Sequence, residues 1–118
     1  MKYSDYFIDS LVELGYTHCF FVGGGNVMHV LESARTRLEC IAVVHEVSAG
    51  IAAEYFNIAH RSDGKRAFAL VTAGPGITNM ATAIGGAWLE SRELLIVGGQ
   101  ARTEFISSSE VRQIGHQQ

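Results

Sequence analysis

Four short apolar runs, each closing on a turn and each separated from the next by a stretch with helical spacing, limit this chain more than any other feature. They lie at 18–22 (HCFFV), 38–44, 66–72 (RAFALVT) and 94–97, and the turns that end them are GGG, His-Glu, GPG and GGQ. Strands that alternate with helices must be joined by crossovers, and the right-handed crossover lays each strand parallel to its neighbour. The expected fold class is α/β, a parallel β-sheet flanked by helices.

The elements follow from local chemistry. Ser4 is expected to cap a first helix with Phe7, Ile8, Leu11, Val12 and Leu14 at helical spacing, and Gly15 to stop it. After the first strand, Gly23, Gly24 and Gly25 make a flexible turn, and Asn26 is placed to cap a helix carrying Val27, Met28, Val30 and Leu31. A long helix over 46–60 follows the second strand, a polar turn falls at 62–65, and a helix rich in small residues is expected over 78–89. Residues 111–118 end without a helix or strand pattern, so the domain is expected to continue past them.

At 118 residues and 47% hydrophobic content the chain fits one domain with a real core. Nine basic against twelve acidic residues give a net charge of −3, and the basic clusters are short, which argues against a nucleic-acid partner. The first helix is broken by Asp5, Asp9 and Glu13, and no apolar run reaches membrane-spanning length; a cytoplasmic protein without membrane contact is expected. Cys19 and Cys40 have no metal or redox spacing and read as reduced thiols in buried strands.

Chemistry concentrates at Glu46. The run Ile41, Ala42, Val43, Val44 suits a parallel strand covered on both faces, so Glu46 falls at a strand's carboxyl end, where open α/β sheets bind ligands. The helix after it carries Ser48, Ala49, Gly50, Ala52 and Ala53, small enough for close approach of another element or a flat ligand. A competing reading needs no ligand: a Glu in the first helical turn is favoured by the helix dipole alone. The turns GGGNVM and GPGITN each lack the third glycine of the dinucleotide fingerprint, yet Glu46 lies about twenty residues after the first, where a ribose-binding acid would sit. A nucleotide-binding module therefore stays open as an alternative.

Taken together, FVGGG at 21–25, VVHE at 43–46, LVTAGPGITN at 70–79 and VGGQ at 97–100 resemble the pyrimidine-binding domain of thiamine diphosphate enzymes. The nearest likeness is to the acetolactate synthase family, and it covers essentially the whole chain. The resemblance implies that residues 1–118 are an N-terminal pyrimidine-type domain, incomplete at its C-terminal end. It also implies two catalytic residues. Glu46 matches the glutamate that hydrogen-bonds N1′ of the aminopyrimidine and promotes its imino form, and Gln117 matches a glutamine near the reacting centre. Val22, Gly74, Pro75, Gly76 and Asn79 match positions beside the pyrimidine. A carboxylate in that role needs a dry setting, which the apolar run before Glu46 is expected to supply. Departures from the family pattern are Val22 where many relatives carry an aromatic residue, Gly23 in place of proline and Gln118 in place of glutamate.

Implied by the same resemblance is a parent enzyme that decarboxylates a 2-oxo acid, with pyruvate the expected donor, and transfers the acyl carbanion to a carbonyl acceptor. The run VRQIGHQ at 111–117 looks like synthase-like proteins of sugar metabolism, which hints at a keto sugar acceptor. No GDG followed by paired asparagines occurs, so Mg²⁺ and the diphosphate are expected on a domain outside this chain, which itself offers no metal ligands. The 118 residues alone are thus expected to be inactive, the parent to be a homo-oligomer (dimer or tetramer), and FAD to be a matter for a middle domain that some relatives carry. A pyrimidine-binding subunit of a two-chain decarboxylase and a noncatalytic scaffold are the other readings. His45 divides evenly between orienting Glu46 or touching substrate and packing; His18, His29, His60 and His116 lack metal spacing; Trp88 and Tyr55 read as core or subunit contacts.

Overall fold

The computed structural model describes residues 1–106. Its elements run α1 (Tyr3–Glu13), β1 (Tyr16–Phe21), α2 (Met28–Arg35), β2 (Glu39–Ala42), α3 (Glu46–Ala59), β3 (Arg66–Val71), α4 (Pro75–Thr78), α5 (Ala81–Leu89) and β4 (Ile96–Gly98), with 3-10 turns at Gly25–Val27 and Thr103–Phe105. The four strands form one parallel sheet in the order β2-β1-β3-β4. The α/β class expected from the apolar runs is the one observed. From β1 the chain goes outward to β2 and then returns past β1 to β3, so the order reverses between β1 and β3. A crevice opens at the carboxyl ends of strands at such a switch point.

Period-two alternation along β3 sorts the core into two halves. Phe68 and Leu70 face α1 and α2, where they pack with Ile8, Leu11, Tyr16, Cys19, Val27 and Ala34. Ala67, Ala69 and Val71 face α3 and α5 and pack with Ala49, Ala53, Met80 and Ala83. Helix α3 is pinned to the start of β3 by the buried Asn57, whose amide nitrogen donates to the Ala67 carbonyl (3.2 Å) and whose oxygen accepts from the Ala67 N–H (2.7 Å). Glu54, also buried on α3, is paired with Arg92 at 3.2 Å, which answers the cost of burying its charge.

Several local expectations are corrected. The run at 41–44 is not covered on both faces: β2 ends at Ala42, lies at the sheet's edge and is half-buried at best, and Val44 is fully exposed. Apolar composition does not distinguish an edge strand awaiting a neighbour from a central one. Cys40 is accordingly only half-buried, beside the buried Cys19; both are free thiols, and burial pushes each pKa up. Ser4 does not cap α1; it is buried, and its hydroxyl is hydrogen-bonded with the Ser33 hydroxyl at 2.9 Å, tying α1 to α2. Asn26 makes no cap, because the chain passes through the Gly25–Val27 turn before α2 begins. The helix expected over 78–89 is two helices, α4 and α5, broken at Asn79 and Met80. Of the two readings for Trp88 and Tyr55, core or subunit contact, the core is excluded, since both lie on the surface.

Candidate functional site

Three turns build the site. The first follows β1, where Gly24 is extended and Gly25 opens a 3-10 turn. The second joins β2 to α3: His45 is extended, and its Nδ1 accepts a hydrogen bond from the Val47 N–H at 3.2 Å, capping α3 one residue before Glu46. The third follows β3. There Gly74 has φ +71°, a left-handed conformation that a side chain resists, and Pro75 follows at the first position of α4, where its fixed φ suits a helix start.

Between these turns lies a cavity of about 320 Å³ lined by Gly24, Gly25, Asn26, Glu46, Thr72, Ala73, Pro75 and Gly76. It occupies the crevice expected where the strand order reverses between β1 and β3. Among the described residues, Glu46 is the one acid in its lining. The Asn79 side chain, just past α4, donates from Nδ2 to Glu46 Oε2 at 3.1 Å and so holds the carboxylate across the gap from the third turn. The turn after β4 braces the far side. Its Gly99 N–H donates to the Val71 carbonyl (2.9 Å), and Asn26 Nδ2 donates to the Gln100 carbonyl (3.4 Å). Gly99 comes so close to the first turn that an added Cβ would lie 2.8 Å from the Asn26 carbonyl oxygen.

Of the residues singled out in the sequence, Glu46, Pro75 and Gly76 line the cavity and Asn79 bonds to Glu46. Gly74 is buried and shapes the third turn. Val22 stands at the end of β1, its N–H bonded to the Leu70 carbonyl at 3.2 Å, but it does not line the cavity. Gln117 and Gln118 lie outside the described residues. The apolar run does not make the site dry, since Glu46 is only half-buried and Val44 is exposed. His45 caps the helix whose first residue is Glu46. Sequence reasoning missed Asn26, Thr72 and Ala73 as lining residues. Thr72 carried a legible signal, a polar residue closing an otherwise apolar strand directly ahead of a glycine turn.

Comparison with known proteins decides which family uses this arrangement. The family described as thiamine pyrophosphate enzyme, N-terminal TPP binding domain, matches residues 1–118. The chain belongs to the thiamine pyrophosphate enzymes. Among curated thiamine pyrophosphate enzymes, it is 35% identical over 101 residues to the acetolactate synthase large subunit of Buchnera aphidicola from Acyrthosiphon pisum, a match covering 84% of this chain and 17% of the relative. The mitochondrial acetolactate synthase catalytic subunit of Aspergillus candidus is 34% identical over 104 residues (86% and 15%). Acetolactate synthase isozyme 1 large subunit of Escherichia coli K12 is 29% identical over 113 (94% and 20%). The chain thus spans a fifth or less of the length of these relatives.

The cavity fits one end of that family's cofactor. Glu46 offers an acceptor for a ring nitrogen, and walls of glycine and alanine leave room for a flat ring to approach backbone. Among the described residues no group of three or more His, Cys, Asp or Glu stands close enough to hold a metal ion.

Proposed function

We propose that this chain forms the pyrimidine-binding half of the active site of an acetolactate synthase-like enzyme, which decarboxylates a 2-oxo acid and transfers the acyl group to a carbonyl acceptor. The observation that carries this reading is the Glu46–Asn79 pair at the cavity between the β1 and β3 turns. When bound, thiamine diphosphate supplies a nucleophilic carbon and an electron sink for decarboxylation. Glu46 holds the proton at the ring nitrogen N1′, Asn79 fixes the carboxylate's orientation, and the Gly74-Pro75-Gly76 turn presents backbone to the ring's face. Pyruvate is the proposed donor; a keto sugar is one proposed acceptor.

Three further parts belong to the proposal. Mg²⁺ and the diphosphate are held by residues outside this chain, and 1–118 by themselves bind the cofactor negligibly, since most of its charge has no partner here. The parent is a homo-oligomer, which accounts for the apolar side chains that α3 and α5 expose, among them Ile51, Tyr55, Ile84, Trp88 and Leu89, and for the water that reaches Glu46 in this chain alone. The protein works in the cytoplasm; among the described residues no helix is long and apolar enough to cross a membrane. The test is a product assay on the full-length protein with Mg²⁺ and pyruvate, with and without thiamine diphosphate. Carbon dioxide release and a carboligation product that both depend on the cofactor are expected. A full-length protein that neither binds thiamine diphosphate nor releases carbon dioxide would contradict the reading.

A further inference from the structure

Thr72 sits where two of the site's turns meet. It directly follows β3, the strand flanked by β1 and β4 and buried from Ala67 to Val71. Its side chain lies against both neighbouring turns. A Cβ added to Gly24 would stand 2.4 Å from Thr72 Cβ, 2.6 Å from its hydroxyl oxygen and 2.7 Å from its Cγ2 methyl, and one added to Gly76 would stand 3.1 Å from that methyl. Gly24 belongs to the turn after β1 and Gly76 to the first turn of α4. Thr72 therefore stands beside both glycine turns of the cavity that holds Glu46, with its Cγ2 methyl close to the space a side chain would need at either.

We infer that Thr72 is a positioning residue, a wedge whose Cγ2 methyl sets the spacing of the two glycine turns and, through α4, the place of Asn79 against Glu46. The inference rests on the proposed role of Glu46. The path is short: Gly76 lies in α4, Asn79 follows α4 directly, and Asn79 Nδ2 reaches Glu46 Oε2. Thr72 meets glycine on both sides, at Gly24 and Gly76, so a lost methyl is expected to be relieved by movement of the turn rather than by rotation of a facing side chain. Misplacement of a catalytic group by about 1 Å costs on the order of a hundredfold in rate. A shift of a few tenths of an ångström is then expected to cost about tenfold.

The wedge makes a prediction opposite to the usual ranking of substitutions. Thr72→Val keeps a methyl on each branch and loses the hydroxyl; Thr72→Ser keeps the hydroxyl and loses the methyl. In the full-length protein without cofactor, hydrogen–deuterium exchange of the backbone over 74–80 should rise in Thr72→Ser and match wild type in Thr72→Val. With thiamine diphosphate and Mg²⁺ bound, proton exchange at C2 of the cofactor should slow about tenfold in Thr72→Ser and by a clearly smaller factor in Thr72→Val, which as a change in the cavity lining is not expected to be silent. If Thr72→Val is as slow as Thr72→Ser, or if Thr72→Ser is normal in both measurements, the wedge is wrong. Glu46→Gln measured alongside separates the failures. A slow Glu46→Gln with normal Thr72 variants overturns the wedge alone, and a Glu46→Gln with normal exchange overturns the role of Glu46 and the wedge with it.

Discussion

The two faces of the sheet are built from different materials. Toward α1 and α2 the core holds Ile8, Leu11, Tyr16, Phe68 and Leu70, with the Tyr16 and Phe68 rings edge to face at 5.7 Å. Toward α3 and α5 the fully buried residues are mostly alanine, with Val71 and Met80 the larger members, and the large side chains Phe20, Phe56, Ile77, Leu94 and Ile96 pack around them only partly buried. Fully burying a large apolar side chain contributes about 1.5–3 kcal/mol, whereas an alanine offers one methyl group. Most of the large side chains buried completely therefore lie on the first face, which is expected to contribute more to stability. The second brings backbones together: Gly50 on α3 lies so close to α5 that an added Cβ would be 2.5 Å from Ala83 Cβ. Because α3 begins at Glu46, that close approach fixes where the carboxylate stands. One face holds the domain together, and the other aims it.

The comparison can be broken by moving volume from one face to the other. The largest expected effect is on the first face, where Phe68→Ala should cost about 3–5 kcal/mol, read as a fall in the thermal midpoint of the full-length protein. A loss below 1 kcal/mol would mean that this face is not the stabilising one. Gly50→Ala adds a single methyl on the second face, and overpacking of this kind costs about 1–3 kcal/mol. Here turnover should fall more than stability explains, as α3 is pushed off α5 and carries Glu46 with it. Unchanged kinetics in a destabilised Gly50→Ala protein would separate the alanine face from the site.

His45→Ala removes the cap at the start of α3, with an expected cost of about 0.5–2 kcal/mol and a loss of activity that His45→Asn, a good capping residue, restores. Failure of the asparagine to rescue would point to contact between the imidazole and substrate. The smallest effect lies at the junction of α1 and α2. There the Ser33 hydroxyl, and secondarily Arg37, hold the Asp5 carboxyl below its ordinary range. A lowered folded-state pKa means that this contribution is fully present above about pH 3.9, the ordinary aspartate value, and fades as the pH falls through the folded-state value. Asp5→Asn should therefore flatten the acid end of the stability profile and leave the neutral region with only a small uniform loss; an unchanged acid limb would remove Asp5 from that account.

How much of this was legible in the sequence depends on the range of the interaction. The order of strands and helices was readable because periodicity and glycine punctuation are local, and the motif at 70–79 placed its turn at a strand end. Which strand lies at an edge was not readable, since Ile41, Ala42 and Val43 look alike in either position and only the β2-β1-β3-β4 order separates them. The break at Asn79 and Met80 was hidden for a similar reason. The run at 78–89 contains no proline, and its small residues give no sign that the chain must turn Asn79 back toward Glu46. The Ser4 cap failed because its hydroxyl has a better partner 29 residues away in Ser33. Within the cavity, Glu46, Pro75 and Gly76 had been singled out in the sequence; Asn26 and Thr72 had not, although Thr72 stands inside the run at 70–79, because their places depend on what they touch across turns.

Everything functional in this account passes through the Glu46 carboxylate, so the most direct test is deuterium exchange at C2 of bound thiamine diphosphate in the full-length Glu46→Gln protein. Glutamine keeps the shape and one oxygen but cannot manage the proton at N1′. Exchange should slow by about 10²–10⁴-fold, with cofactor affinity changing far less. If Glu46 serves only the helix dipole, the variant should instead lose about 0.3–1 kcal/mol of stability and exchange at the wild-type rate. That second result would contradict the assignment of this cavity as the pyrimidine site.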